Sequence, residues 1–229
     1  MVKAEQETLI KLVSECFVKP KHEIEAAKQP YHLGPMDLIM LNMDPIHKGF
    51  LFSLKNSPLF SSSESNESND IDEIIRTRVV SNLLENLKHS LSIALVHFYP
   101  LAGRLTTQKQ PEQNTSSIFI DCNKGSGARF IHATAFGLTM DHIVSPDDVS
   151  LAHSFFELGE KYVNYDGHTK SLLSIQVTEL IDGVFIGFSI NHGVVDGTSF
   201  IHFVNVLSEI FRSVKYDILS SRITTLFST

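Results

Sequence analysis

Tryptophan is absent from this 229-residue chain, and cysteine is nearly so. The two thiols, Cys16 and Cys122, are too few for a disulfide framework or a cysteine-ligated zinc cluster. They fit a reducing compartment, and the expectation is a cytoplasmic protein. Basic residues are outnumbered: 19 Lys and Arg against 26 Asp and Glu leave a formal net charge of −7. That balance lacks the electrostatic footprint of a nucleic-acid binder and the polybasic attraction to anionic membranes. No run reaches the roughly 18 apolar residues of a membrane span. Lys3, Glu5, Glu7, Lys11 and Glu15 break up the start of the chain, leaving no room for the apolar core of a signal peptide. With 12 Gly and 8 Pro, the chain is neither collagen-like nor broadly disordered.

What is present is ordinary globular patterning, 42% hydrophobic and 20% charged. An apolar run over residues 9–18 reads as a strand that stops at Lys19-Pro20. Leu33-Gly34-Pro35-Met36-Asp37 reads as a turn opening a further apolar segment, with Asp37 as a helix-start cap. Residues 49–54 read as a short strand, and the Ser/Glu/Asn-rich stretch 61–70 as a surface loop with nothing to bury. Residues 71–98 carry a helical stripe of Val80, Leu84, Leu87, Leu91, Ala94 or Leu95, and Phe98, ended by Tyr99-Pro100. Alternation over 117–122 and 128–134, around the glycine-rich 123–127, predicts a β-hairpin. Ser145-Pro146-Asp147-Asp148 resembles a helix start, with the helix running over 149–162. Arg104 is read as making a structural ion pair or bonds to the backbone.

The most informative stretch is 171–192. Two β-rich runs meet at Asp182-Gly183, which predicts a two-residue hairpin turn. On that register Ile181 faces Val184, Glu179 faces Ile186, Val177 faces Phe188 and Leu173 faces His192. Strand alternation puts His192 on the face of Val184, Ile186, Phe188 and Ile190, an ionisable group ending an apolar row. The chain then breaks through Gly193-Val194-Val195-Asp196-Gly197 into an amphipathic helix, with Phe200, Phe203 or Val204, Leu207 and Ile210 or Phe211 on one stripe. A histidine at the C-terminal end of a strand, before a loop and a helix, stands where α/β folds open into clefts.

The block Asn191-His192-Gly193-Val194-Val195-Asp196-Gly197-Thr198-Ser199-Phe200 resembles the His-x-x-x-Asp-Gly signature of the plant BAHD, or HXXXD-type, acyltransferases. Three other segments agree in order and spacing: Leu33 to Asp37, Phe98-Tyr99-Pro100-Leu101-Ala102-Gly103-Arg104-Leu105, and residues 173–188. The resemblance covers about residues 8–212. It implies an α/β fold like chloramphenicol acetyltransferase, a mixed β-sheet packed with helices. It implies acyl-CoA as co-substrate, with no bound cofactor and no metal, and a small alcohol or amine as acceptor. It makes His192 the general base, Asp196 a structural residue that pairs with an arginine, and Gly197 a residue that leaves room at the site; beside its capping role, Asp37 has a second reading, a place near the acceptor channel. It resembles the N-terminal half of such an enzyme. Residues 1–212 then form the acyltransferase domain, 213–229 an atypical tail, and the family's second domain is absent. The Asp-Phe-Gly-Trp-Gly motif of that domain has no counterpart in a chain without tryptophan. An interdomain cleft with one wall implies an acyltransferase site that is incomplete in this chain, with His192 facing water, and leaves an apolar face open to association.

Other readings compete. A non-catalytic fragment or pseudoenzyme acting by association keeps the fold without turnover. A metal hydrolase would use His192, Asp196 and His202, but His202 falls inside the amphipathic helix. A serine hydrolase lacks its Gly-x-Ser-x-Gly elbow. Cys16 and Cys122 read as small buried hydrophobes rather than nucleophiles.

Overall fold

A computed structural model describes residues 9–54, 69–144, 149–214 and 224–226. In chain order it contains β1 (Lys11–Val18), β2 (Tyr31–His32), α1 (Pro35–Ile39), β3 (Ile46–Ser53), α2 (Asn69–His97), β4 (Arg104–Gln110), β5 (Thr115–Asp121) and β6 (Ala128–Thr134). There follow α3 (Met140–Val144), α4 (Val149–Ser154), β7 (Leu173–Glu179), β8 (Gly183–Ile190), α5 (Gly197–Ser213) and β9 (Thr224–Leu226). Six strands form a mixed sheet in the order β1-β6-β7-β8-β3-β9, and β2-β5-β4 form a second, antiparallel sheet. Only the β6–β7 pair of the larger sheet is parallel. The α/β class and the mixed sheet packed with helices are as expected.

The two helical stripes cover one face of the large sheet. Val80, Leu84, Leu87, Leu91, Ala94 and Leu95 from α2, and Phe200, Phe203 and Leu207 from α5, are buried in one cluster with Leu173, Ile175, Val177, Val184, Ile186, Phe188 and Ile190. Alternation along β7 and β8 places those strand residues on the helix side. The opposite face packs Leu51, Ala133 and Phe185 against Phe155 and Phe156. Tyr99-Pro100 ends α2 in a tight 3-10 turn, as the proline predicts. The loop expected over 61–70 lies mostly outside the described residues, and its last two positions already belong to α2. The helix start expected at 145–148 lies outside them too.

Three expectations are corrected. The predicted hairpin 117–134 does not form, because β5 and β6 belong to different sheets. β5 pairs instead with β4, and the 123–127 loop carries the chain across to the large sheet. Gly127 sits at φ +108°, and a Cβ there would lie 2.3 Å from the Val18 carbonyl oxygen. The buried Arg104 guanidinium holds this crossing by donating to the Gly103 and Gly127 carbonyls (2.7 and 3.1 Å) and to Ser171 Oγ (2.9 Å).

The helix expected over 149–162 ends at Ser154. In a longer helix the Ser154 carbonyl would accept from the Leu158 N–H. The side chain of Gln176 on β7 intercepts both groups: its Nε2 donates to Ser154 O (3.0 Å) and its Oε1 accepts from Leu158 N–H (2.7 Å). Glu157 and Leu158 then take left-handed φ values of 47° and 58°.

The β7–β8 register is also shifted. Leu173 pairs with Ile190, Ile175 with Phe188, Val177 with Ile186 and Glu179 with Val184. The loop is Ile181-Asp182, closed by Leu180 N–H donating to Gly183 O (2.9 Å). Neighbouring segments hold it from outside. Asp182 accepts the Leu54 N–H at its carbonyl (3.1 Å) and the Met140 N–H at its carboxylate (2.9 Å). Because the shift is two residues, every strand side chain keeps its face. Leu173 therefore faces Ile190, and His192 lies beyond the ladder.

Candidate functional site

The last ladder bond beyond β8 is Asn191 N–H to Leu172 O, at 2.9 Å. The chain then leaves the sheet in a tight turn, where Val194 N–H donates back to Asn191 O (3.0 Å) and Gly193 N–H to Asn191 Oδ1 (3.0 Å). His192 occupies this turn and is half-buried. Its Nδ1 is buried and has no hydrogen-bond partner. Its backbone N–H donates to Asn164 Oδ1 at 2.8 Å.

Asp196 takes a different place. It is the N-cap of α5, its Oδ1 accepting the Ser199 N–H at 2.7 Å. That backbone hydrogen bond holds its carboxyl below the usual carboxylate range. Gly197 is exposed at the first position of α5, and a Cβ there would meet nothing within 4 Å. The close approach falls at Gly193, where a Cβ would sit 2.9 Å from Leu41 Cδ2 and 3.2 Å from the Asp37 carbonyl oxygen. The structure thus brings His192 next to the Leu33-to-Asp37 segment and sets Asp196 and Gly197 at the helix start.

The cap sets a prediction. A carboxyl with a depressed folded-state pKa stabilises above its unfolded pKa, and that stabilisation is lost as pH falls through the folded value. Asp196→Ala should lower the melting temperature near neutral pH, with the loss shrinking in acid. Asp196→Asn keeps an acceptor at the N-cap and should retain α5 while removing the pH dependence. Thermal melts of both variants between pH 2 and pH 7 (roughly the carboxylate range) check this.

Asp37 caps α1 by accepting the Gly34 N–H at 2.8 Å, as the sequence suggested. Exposed apolar side chains gather along this part of the fold: Met36, Ile39 and Met43 on the α1 segment, with Val163 and Tyr165 flanking Asn164. Asn164 itself is fully buried. Nothing local announces it, because it stands in a polar run, 164–170, that reads as a surface turn.

Other candidates separate from the site. His202 is exposed on α5, its ring edge-on to Phe98 with centroids 5.5 Å apart. No group of three or more His, Cys, Asp or Glu side chains with metal-binding geometry occurs among the described residues. Burial, reinforced by Asp121, pushes the Cys122 thiol up to about 11, the opposite of a reactive thiolate. No helix among the described residues is long and apolar enough to cross a membrane.

Comparison with known proteins adds to this geometry. The profile of the Transferase family matches residues 75–224. An uncharacterized acetyltransferase of Arabidopsis thaliana is 34% identical over 206 residues, covering 88% of this chain and 40% of the relative. The BAHD acyltransferase DCR of the same plant is 31% identical over 210 residues, covering 90% and 39%. The chain therefore spans about two fifths of the length of these curated relatives. Among solved structures, vinorine synthase superposes with a TM-score of 0.64 at 22% identity, over 93% of this chain and 45% of that one. F. graminearum TRI101, complexed with coenzyme A and T-2 mycotoxin, gives 0.52 at 14% identity, over 82% and 40%. At these identities the two structures speak for the fold, which is that of the acyltransferases.

Proposed function

Since this chain belongs to the Transferase family, the family of the plant BAHD acyltransferases, we propose that it serves acyl transfer from an acyl-CoA thioester to the hydroxyl or amine of a small metabolite, with His192 as general base. The observation that carries this reading is the turn after β8. A half-buried imidazole stands there on a backbone fixed by hydrogen bonds, beside an apolar rim suited to the carbon skeleton of an acceptor.

The chemistry follows from the residue. With Nδ1 buried, Nε2 is the nitrogen assigned to the reaction. As the acceptor oxygen or nitrogen attacks the thioester carbonyl, its proton passes to Nε2. The tetrahedral intermediate collapses with cleavage of the C–S bond. The imidazolium then returns the proton to the departing thiolate, releasing CoA as a thiol. An imidazole nitrogen can both accept and return a proton, so the residue type serves both transfers. Asp196 acts at one remove, by fixing the start of α5 and with it the end of the turn. Acyl-CoA enters as co-substrate, and no resident cofactor or metal is needed. Two free cysteines accord with a cytoplasmic setting. The exposed apolar rim is also the surface through which this chain would associate with a covering domain.

The test is acceptor-dependent thiol release from acetyl-CoA by the 229-residue chain, with benzyl alcohol and benzylamine as probe acceptors. Acceleration by an acceptor is the expected result. Release that no acceptor accelerates would overturn the reading and favour a chain that acts by association alone.

A further inference from the structure

The segment that holds the His192 turn from behind is not part of the His-x-x-x-Asp-Gly signature. Asn164 spends every polar atom on two neighbouring segments of the chain. Its Nδ2 donates to the carbonyls of Met40 (2.9 Å) and Asp44 (3.2 Å), and its own N–H donates to Met43 O (2.9 Å). On the other side its Oδ1 accepts the His192 N–H (2.8 Å) and its carbonyl accepts Asn191 Nδ2 (2.6 Å). The contact is tight as well as polar. A Cβ on Gly167, in the same turn as Asn164, would lie 2.9 Å from Asn191 Nδ2.

A fully buried amide with all its groups satisfied is a rigid joint, because each lost bond would leave a buried polar atom without a partner. The joint links two particular pieces of backbone, the one bearing His192 and the one following the exposed Met36 and Ile39 of α1. We propose that Asn164 is a positioning residue for His192: it clamps the histidine turn to the Met40-to-Asp44 segment and so fixes the distance between the imidazole and the apolar rim. The catalytic consequence rests on the acyl-transfer reading above, whereas the clamp stands on geometry alone.

The experiment therefore has two arms. In the first, amide hydrogen exchange is followed in the 15N-labelled chain. Asn164→Ala should speed exchange at the His192 amide by about tenfold or more, with the Phe188 and Ile190 amides of β8 unchanged. Asn164→Asp keeps an acceptor for the His192 N–H but loses both Nδ2 donors. With the turn no longer tied through that side chain to Met40 and Asp44, exchange at the His192 amide should rise here too, by less than in Asn164→Ala, and unchanged protection in this variant overturns the clamp if the alanine variant fails to fold. In the second arm, thiol release by Asn164→Ala should show kcat reduced by up to about 100-fold with KM for acetyl-CoA unchanged, as a displaced but intact base predicts. Equal protection of the His192 amide in wild type and Asn164→Ala would overturn the clamp. Faster exchange with kcat unchanged would overturn the positioning role. Absence of turnover in the wild type would instead fail the acyl-transfer reading, and the exchange arm would still decide the clamp.

Discussion

His192→Ala is expected to lower acceptor-dependent thiol release by about 10²- to 10⁴-fold, the range that a positioned general acid–base group contributes. The loss should fall on kcat and on kcat/KM alike, because proton removal is an interaction of the transition state. Stability should barely change. The ring ends beyond the β7–β8 ladder, and the turn that carries it is held by main-chain atoms and by Asn191 and Asn164, not by the imidazole. His192→Ala therefore separates chemistry from folding. A circular-dichroism melt run beside the kinetic assay checks both halves. A variant that melts like wild type and has lost turnover supports the base.

The second large effect lies beneath the site. Phe203→Ala is expected to destabilise the fold by about 3–5 kcal/mol. Phe203 is fully buried on α5, edge-on to Phe98 at the end of α2 (centroids 5.2 Å apart) and to Phe188 on β8 (6.5 Å). It thus touches all three elements that set the His192 turn: the strand before it, the helix after it and the helix that backs both. Domains of this kind are stable by only about 5–15 kcal/mol. One cavity here consumes a large part of that margin. Urea denaturation with a shifted midpoint and an unchanged slope would register it. Phe203→Leu, which keeps most of the volume, should lose much less.

The parts of this fold that the sequence announced share one property: their signal is local. The stripe from Val80 to Leu95 repeats at helical spacing and is buried as a stripe. The row Val184, Ile186, Phe188 and Ile190 alternates, and it lines the helix side of the sheet. The signature from Asn191 to Phe200 is contiguous, and it lies between β8 and the first turn of α5. What stayed hidden depends on partners far away in the chain. Residues 117–134 look like a hairpin because alternation cannot say which strand is opposite, and here β5 chose β4. The helix after Val149 stops because Gln176, 22 positions past Ser154, takes its last carbonyl. Asn164 reads as a surface residue, yet its amide bonds reach Met40, 124 positions away, and His192, 28 positions away. The hairpin slipped by two residues for a similar reason. Leu54 and Met140, from two other segments, hold Asp182 in the loop and leave Gly183 to begin the strand.

The role proposed for His192 is removal of the acceptor's proton. The measurement that meets it most directly is thiol release by wild type and His192→Ala across acceptors of graded acidity, from an alkyl alcohol through a trifluorinated alcohol to a phenol. A general base matters most where the acceptor holds its proton most tightly. The penalty of His192→Ala should therefore be largest for the alkyl alcohol and shrink steadily towards the phenol. A penalty of the same size across the series would contradict the assignment, and His192 would then be a residue that shapes the turn without touching the proton.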